Sequence, residues 1–136
     1  MAHYFEENFG SELINVKAVI RDILRFIETV APKIDDADLY NLRLMFSELL
    51  CNAVIHGNNS DIQKKVHVSV VIDNNKVTAH IADQGLGFDY MSLLLLASDH
   101  NDWTSESGRG ILLVSKLADS LVFNHSGNQI RFTKRI

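Results

Sequence analysis

The chain has one cysteine and one proline in 136 residues, no excess of positive charge and no long uninterrupted apolar run. Each scarcity removes a class of protein. The single thiol, Cys51, cannot close an internal disulfide, and its apolar helical surroundings suit an inert packing group better than a nucleophile. Thirteen basic against seventeen acidic residues leave a formal charge of -4, which offers no broad positive field to a phosphodiester backbone. Direct nucleic-acid binding is therefore not expected. Glu6, Glu7 and Glu12 interrupt the start of the chain, and the longest apolar run there is too short for a signal-peptide core or a membrane span. A cytoplasmic location without membrane association is the expectation. His3, His67, His80, His100 and His125 show none of the close spacing of a zinc site and read as surface or strand residues. The glycines spell neither a Walker P-loop nor a G-x-G-x-x-G fingerprint, so any phosphate must be held in another way.

With 46% hydrophobic and 22% charged residues, the composition is close to the globular average. A chain of this length should fold as one domain, residues 1–136, burying about two-thirds of its unfolded surface. A short strand is expected at 3–9, with Ser11 placed to cap the helix that follows. Val16, Ile20, Ile23, Ile27 and Val30 then recur at steps of four and three as one apolar stripe, until Pro32 ends that helix. Asp35, Asp36 and Asp38 crowd the start of a second helix, where carboxylates meet the positive end of the dipole, and Gly57 supplies its stop. Val66, Val68, Val70 and Ile72 alternate with more polar residues as a strand, Asn74 and Asn75 suit a tight turn, and 76–82 returns as a second strand.

A glycine-bearing loop at 83–89 is followed by a short buried helix at 93–97 and a polar, unpatterned segment at 98–107. Gly108 and Gly110 head another helix, and 121–125 with 129–134 form a final hairpin. No repeat, linker or low-complexity tract interrupts this order. Helices, hairpin, loop, helix and hairpin in sequence predict an α+β fold, a two-layer sandwich with helices packed on one face of a mainly antiparallel mixed sheet.

Three groups of residues can carry chemistry. Glu48, Asn52 and His56 are spaced i, i+4, i+8, so they climb one face of an otherwise apolar helix over about 12 Å. Asp83-Gln84-Gly85-Leu86-Gly87 follows a strand directly, where glycines let backbone approach a flat ligand and a carboxylate can accept from an exocyclic amino group. Gly108-Arg109-Gly110 opens a helix, a place where free N–H groups and the dipole attract phosphate. Each pattern is common by itself. Their occurrence in one order on helix, strand-end loop and helix start is far rarer.

These segments resemble the N box and the two glycine boxes of the Bergerat-fold ATPases, which include gyrase, heat-shock chaperones and histidine kinases. The stretch from Leu42-Arg43-Leu44 through Ser47-Glu48 to Asn52-Ala53-Val54-Ile55-His56-Gly57 is similar to the anti-sigma-factor serine/threonine kinases of bacterial sporulation and stress response. So are the length and the Thr133-Lys134-Arg135 ending. The resemblance implies that Asn52 ligates Mg²⁺, Asp83 reads the adenine amino group of ATP, and Gly85 and Gly87 shape the base pocket. It places Gly108, Arg109 and Gly110 by the phosphates, His56 at the nucleotide and Thr133 on the adenine side, with Glu48 as general base. The implied partners are a sigma factor and an anti-anti-sigma antagonist, met by a homodimer.

The segment at 98–107 is short for a Bergerat lid and contains no lysine, which leaves Arg109 as the nearest cation in sequence. It is expected to order when ATP is bound, while Trp103 is expected to pack that loop onto the core. Two other readings remain open from sequence. A histidine-kinase catalytic domain would need a helical hairpin bearing a phosphoacceptor histidine, for which no residues remain. A nucleotide-gated partner-switch module without turnover would need Asn52 and Asp83 but has no use for Glu48.

Overall fold

The computed structural model describes residues 1–87, 89 and 106–136. Strand β1 (His3–Gly10) leads into helix α1 (Leu13–Val30) and then α2 (Asp36–Asn52), which runs on into a π-turn at Ala53–Gly57. Strands β2 (Lys65–Asp73) and β3 (Lys76–Ala82) form a hairpin, helix α3 (Glu106–Leu117) follows, and β4 (Ser120–Phe123) and β5 (Gln129–Arg135) close the fold. The five strands lie in the order β1-β2-β3-β5-β4, and all four pairings are antiparallel. The expected two-layer α+β sandwich is what forms, although no parallel pair occurs among the described strands.

The period-two pattern of the sequence explains the layering. Val66, Val68, Val70 and Ile72 of β2, Val77, Ala79 and Ile81 of β3, and Ile130 and Phe132 of β5 all turn to one buried face. Against it pack Val16, Val19, Ile23 and Ile27 of α1 and Leu42, Met45, Phe46, Leu49 and Leu50 of α2. Phe46 meets Phe132 edge-on with ring centroids 5.3 Å apart. Burying one such side chain contributes about 1.5–3 kcal/mol, so this shared face is the main force joining helices to sheet. Helix α2 touches α1 on one side and α3 on the other. Its buried side carries Leu42, Met45, Phe46, Leu49, Leu50 and Asn52, while Tyr40 and Arg43 stay exposed, so Asn52 stands out as the polar residue on the buried side.

Local signals held with instructive exceptions. Asn74 and Asn75 take positive φ, 51° and 58°, as a two-residue hairpin turn requires. Asp35 caps α2 by accepting from the Ala37 N–H at 3.0 Å. Ser11, expected to cap α1, instead donates its hydroxyl to the Lys64 carbonyl at 2.7 Å, and Glu12 holds the cap position without a side-chain bond. Gly57 is not a left-handed stop either. The positive φ values after α2 belong to Asn59 and Ser60, at 52° and 56°, and the helix widens into a π-turn before leaving. Helix α3 begins by Glu106, earlier than the glycines, so Gly108, Arg109 and Gly110 lie inside its first turns. The Lys134 ammonium donates to the Leu117 carbonyl at 3.2 Å and ties the far end of α3 to β5. The expected helix at 93–97, Trp103 and most of the 98–107 segment lie outside the described residues. No described helix is long and apolar enough to cross a membrane.

Candidate nucleotide site

Glu48, Asn52 and His56 keep the common face their spacing promised, and α3 is laid across it. A cavity of about 470 Å³ opens between the two helices, lined by Glu48, Cys51, Asn52, Ile55, His56, Arg109, Gly110 and Leu113. Two of the three sequence features thus meet in one cavity, a carboxylate and a carboxamide from α2 facing an arginine from α3. The contact between the helices is close. Gly110 is buried, and a Cβ there would overlap the Glu48 carboxylate at Oε2.

Asn52 is only 8% exposed, and its Nδ2 has no hydrogen-bond partner among the described residues. A buried amide left unpaired costs about 1–3 kcal/mol, so it marks a place where something else completes the bonding. The amide can donate to a phosphate oxygen, or, turned over, present Oδ1 to a hard cation. No group of three His, Cys, Asp or Glu side chains that could hold a metal occurs among the described residues.

The third feature forms the adjoining wall. A Cβ at Gly57 would overlap the Asp83 carboxylate, and one at Gly85 would overlap the Gly57 carbonyl oxygen. Glycine is needed at both positions because the π-turn after α2 lies directly against the loop after β3, with the Asp83 carboxylate on Gly57 and the Gly57 carbonyl on Gly85. The Gly85 N–H donates to Asp83 Oδ1 at 2.8 Å. Burial pushes the Asp83 carboxyl above the usual carboxylate range, against the lowering effects of the Gly85 hydrogen bond and the Lys64 charge. Gly87 has φ of 106°, and a Cβ there would collide with the Ser126 carbonyl, so the β4–β5 turn supports the loop from behind. Asn128 grips the same loop, donating Nδ2 to the Gly85 carbonyl at 3.3 Å and accepting the Asp83 N–H at its own carbonyl, 2.9 Å away.

Thr133 is not brought to either wall. Its neighbours Phe132 and Ile130 point into the core, so Thr133 lies on the outer sheet face, opposite Thr78 and 2.6 Å from the Ser120 hydroxyl. Cys51, Ile55 and Leu113 were missed as lining residues. Cys51 and Ile55 follow the stripe at i+3 and i+7 from Glu48, a signal indistinguishable from core spacing. The Cys51 thiol is pushed up in pKa, chiefly by burial and further by the Glu48 charge, against a hydrogen bond from Ser47. It is therefore a neutral lining group at ordinary pH, as its surroundings suggested.

Gly110→Ala isolates the helix contact. The added methyl meets the movable end of Glu48 rather than backbone, so the carboxylate swings aside and the fold survives. We expect a melting temperature near that of the native protein and a large loss of any reaction that uses Glu48, read by thermal denaturation beside a turnover assay. Unchanged turnover would show that the Glu48 position is not critical.

The α+β domain thus carries a buried carboxamide facing an arginine at one end and a carboxylate loop held against glycine at the other. The chain belongs to the histidine kinase-like ATPase domain family, whose profile matches residues 11–134. It is similar to the anti-sigma F factor of Bacillus subtilis, 28% identical over 118 residues, covering 84% of this chain and 80% of that one. It also resembles the serine-protein kinase RsbW of Bacillus subtilis, 30% identical over 103 residues, with 71% of this chain and 64% of that one covered. An anti-sigma F factor from a Geobacillus strain is 35% identical over 65 residues, 48% of this chain and 43% of the relative.

Proposed function

We propose that this chain is an ATP-dependent serine/threonine protein kinase of the anti-sigma type, which holds a sigma factor and phosphorylates a small anti-anti-sigma antagonist. The observation that carries the reading is Glu48 standing one helical turn from the buried Asn52, whose Nδ2 has no partner among the described residues, in the cavity faced by Arg109. A module that only bound nucleotide would need Asn52 and Asp83. It would have no use for a carboxylate placed where an acceptor hydroxyl must lose its proton.

In this reading Asp83 accepts from the adenine amino group, while Gly85 and Gly87 leave room for the base. Asn52 holds Mg²⁺, which when bound supplies positive charge against the transferring phosphoryl group. Arg109 and the backbone of Gly108 and Gly110 lie toward the phosphates, and His56 borders the cavity between the two walls. Glu48 accepts the proton of the incoming serine or threonine hydroxyl. The protein works as a homodimer in the cytoplasm, where its partners would be found. The names of the similar anti-sigma F factor and serine-protein kinase support this assignment.

The test is purification of the tagged protein from cells with and without ATP, mass spectrometry of bound proteins and their phosphosites, and transfer of labelled γ-phosphate to those proteins. We expect a sigma factor retained with ATP and a phosphoserine or phosphothreonine on a second, small partner. ATP binding with no phosphate transferred to any captured protein would leave a nucleotide-gated switch and remove the kinase.

A further inference from the structure

Asn58 is wholly buried, 0% exposed, and all of its described polar atoms are paired. Its Nδ2 donates to the Ser11 hydroxyl at 2.9 Å and to the Lys65 carbonyl at 3.0 Å. Its Oδ1 accepts the Gln84 N–H at 2.8 Å. Through its backbone it belongs to the helix: the Asn58 N–H donates to the Ala53 carbonyl at 2.9 Å and closes the π-turn. One residue therefore ends the helix that carries Glu48 and Asn52, and grips the amide next to Asp83.

We propose that Asn58 is the positioning residue that holds the base-reading loop at a set distance from the metal-binding helix, and so decides purine selectivity. The inference rests on the nucleotide reading of the site and deepens it. The Asn58 bond fixes the peptide joining Asp83 to Gln84. The next N–H, that of Gly85, donates to Asp83 Oδ1, so turning this peptide re-aims the carboxylate. The separation is tight on the other side too, because the residue before Asn58 is Gly57, against which the Asp83 carboxylate packs without room for a Cβ. Releasing Gln84 lets Asp83 withdraw from Gly57 and lose its aim at an exocyclic amino group. Glu48, Asn52 and Arg109, on the far wall, stay where they are. Gln84 itself is exposed, yet its side chain accepts the Lys65 N–H at 2.6 Å, so the loop is pinned to the start of β2 by the same cluster.

Two substitutions separate positioning from mere stability. Asn58→Leu fills the volume but removes the acceptor, whereas Asn58→Asp keeps an acceptor for Gln84 and loses the two donations from Nδ2. Both should melt earlier than the native protein. Only Asn58→Leu should lose selectivity, the ratio of ATP to GTP affinity by calorimetry falling about tenfold, as when one charge-assisted bond is misaligned. Asn58→Asp should keep the native ratio. Equal ratios in Asn58→Leu and native protein, or a loss in Asn58→Asp as large as in Asn58→Leu, would overturn the proposal while leaving ATP binding intact. Native protein that binds neither nucleotide would overturn the nucleotide reading and this inference with it. Should Asn58→Leu not fold, amide exchange in the nucleotide-free native protein decides: Gln84 N–H must exchange slowly although its residue is exposed. Exchange at the rate of an unstructured amide would end the proposal.

Discussion

Glu48→Gln should reduce phosphoryl transfer to the antagonist by a factor of about 10²–10⁴, the usual worth of a general base, while Mg·ATP affinity stays within a few-fold. Glutamine has nearly the shape of glutamate and can occupy the same space over Gly110, so the α2–α3 contact is preserved. What it lacks is the ability to take a proton. In the proposed kinase the metal-binding role falls to Asn52 one turn away, so binding and chemistry would divide between positions one turn apart on one helix. Single-turnover transfer to the purified partner, measured beside calorimetric ATP binding, reads the two separately. Transfer at the native rate in Glu48→Gln would exclude this carboxylate as the base and favour a binding module. A loss confined to affinity would instead make Glu48 part of the nucleotide cradle.

Asp83→Asn should weaken Mg·ATP about tenfold or more, the equivalent of one charge-assisted hydrogen bond at about 1.5–3 kcal/mol, and should leave GTP binding, expected to be poor in the native protein, nearly unchanged. The same substitution should stabilise the nucleotide-free fold at neutral pH. Burial raises the Asp83 pKa, so the folded protein holds that proton more tightly than the unfolded chain does. The resulting stability is complete below the unfolded carboxyl pKa and is lost as pH rises through the raised folded value. Above that folded value the native protein carries the cost of a partly buried charge, which asparagine never has. Asparagine can also keep Oδ1 as acceptor for the Gly85 N–H. The gain in melting temperature should therefore shrink as pH is lowered into the carboxyl range, and partial exposure keeps it modest. A variant with native ATP affinity would remove Asp83 from base recognition, and a gain independent of pH would show that its charge is not the cause.

The elements most legible in the sequence were those whose signal is local. The β2–β3 hairpin follows from strict alternation and two asparagines that tolerate positive φ. The stripe from Val16 to Val30 became the buried side of α1, with Val19 joining Val16, Ile23 and Ile27 among the buried residues while Ile20 and Val30 are only partly covered. Glu48, Asn52 and His56 of α2 and Arg109 and Gly110 of α3, singled out by residue type and spacing, line one cavity. Misplacements arose where a residue's partner is distant in the chain. Ser11 looks like a cap from its neighbours, but Lys64 and Asn58 claim its hydroxyl. Thr133 sits beside motif-like residues, yet strand alternation turns it to the outer face. Asn58 lies in a run of polar loop residues and carries no pattern that separates it from Asn59.

By itself, then, the sequence determined the α+β class, the period of each main element and the residue types that can bind a nucleotide. Those properties depend on backbone preference and on hydrophobic spacing within about a dozen residues, which neighbours along the chain already encode. Only the tertiary structure decided that α3 crosses α2 closely enough to seat Glu48 over Gly110, that Gly57 exists for contact with Asp83 rather than for a turn, and that Asn58 ties the two walls together. Each of those contacts joins elements separated by 26 residues or more, as Asn58 and Gln84 are. Packing of the whole core sets their distances, and no local pattern can.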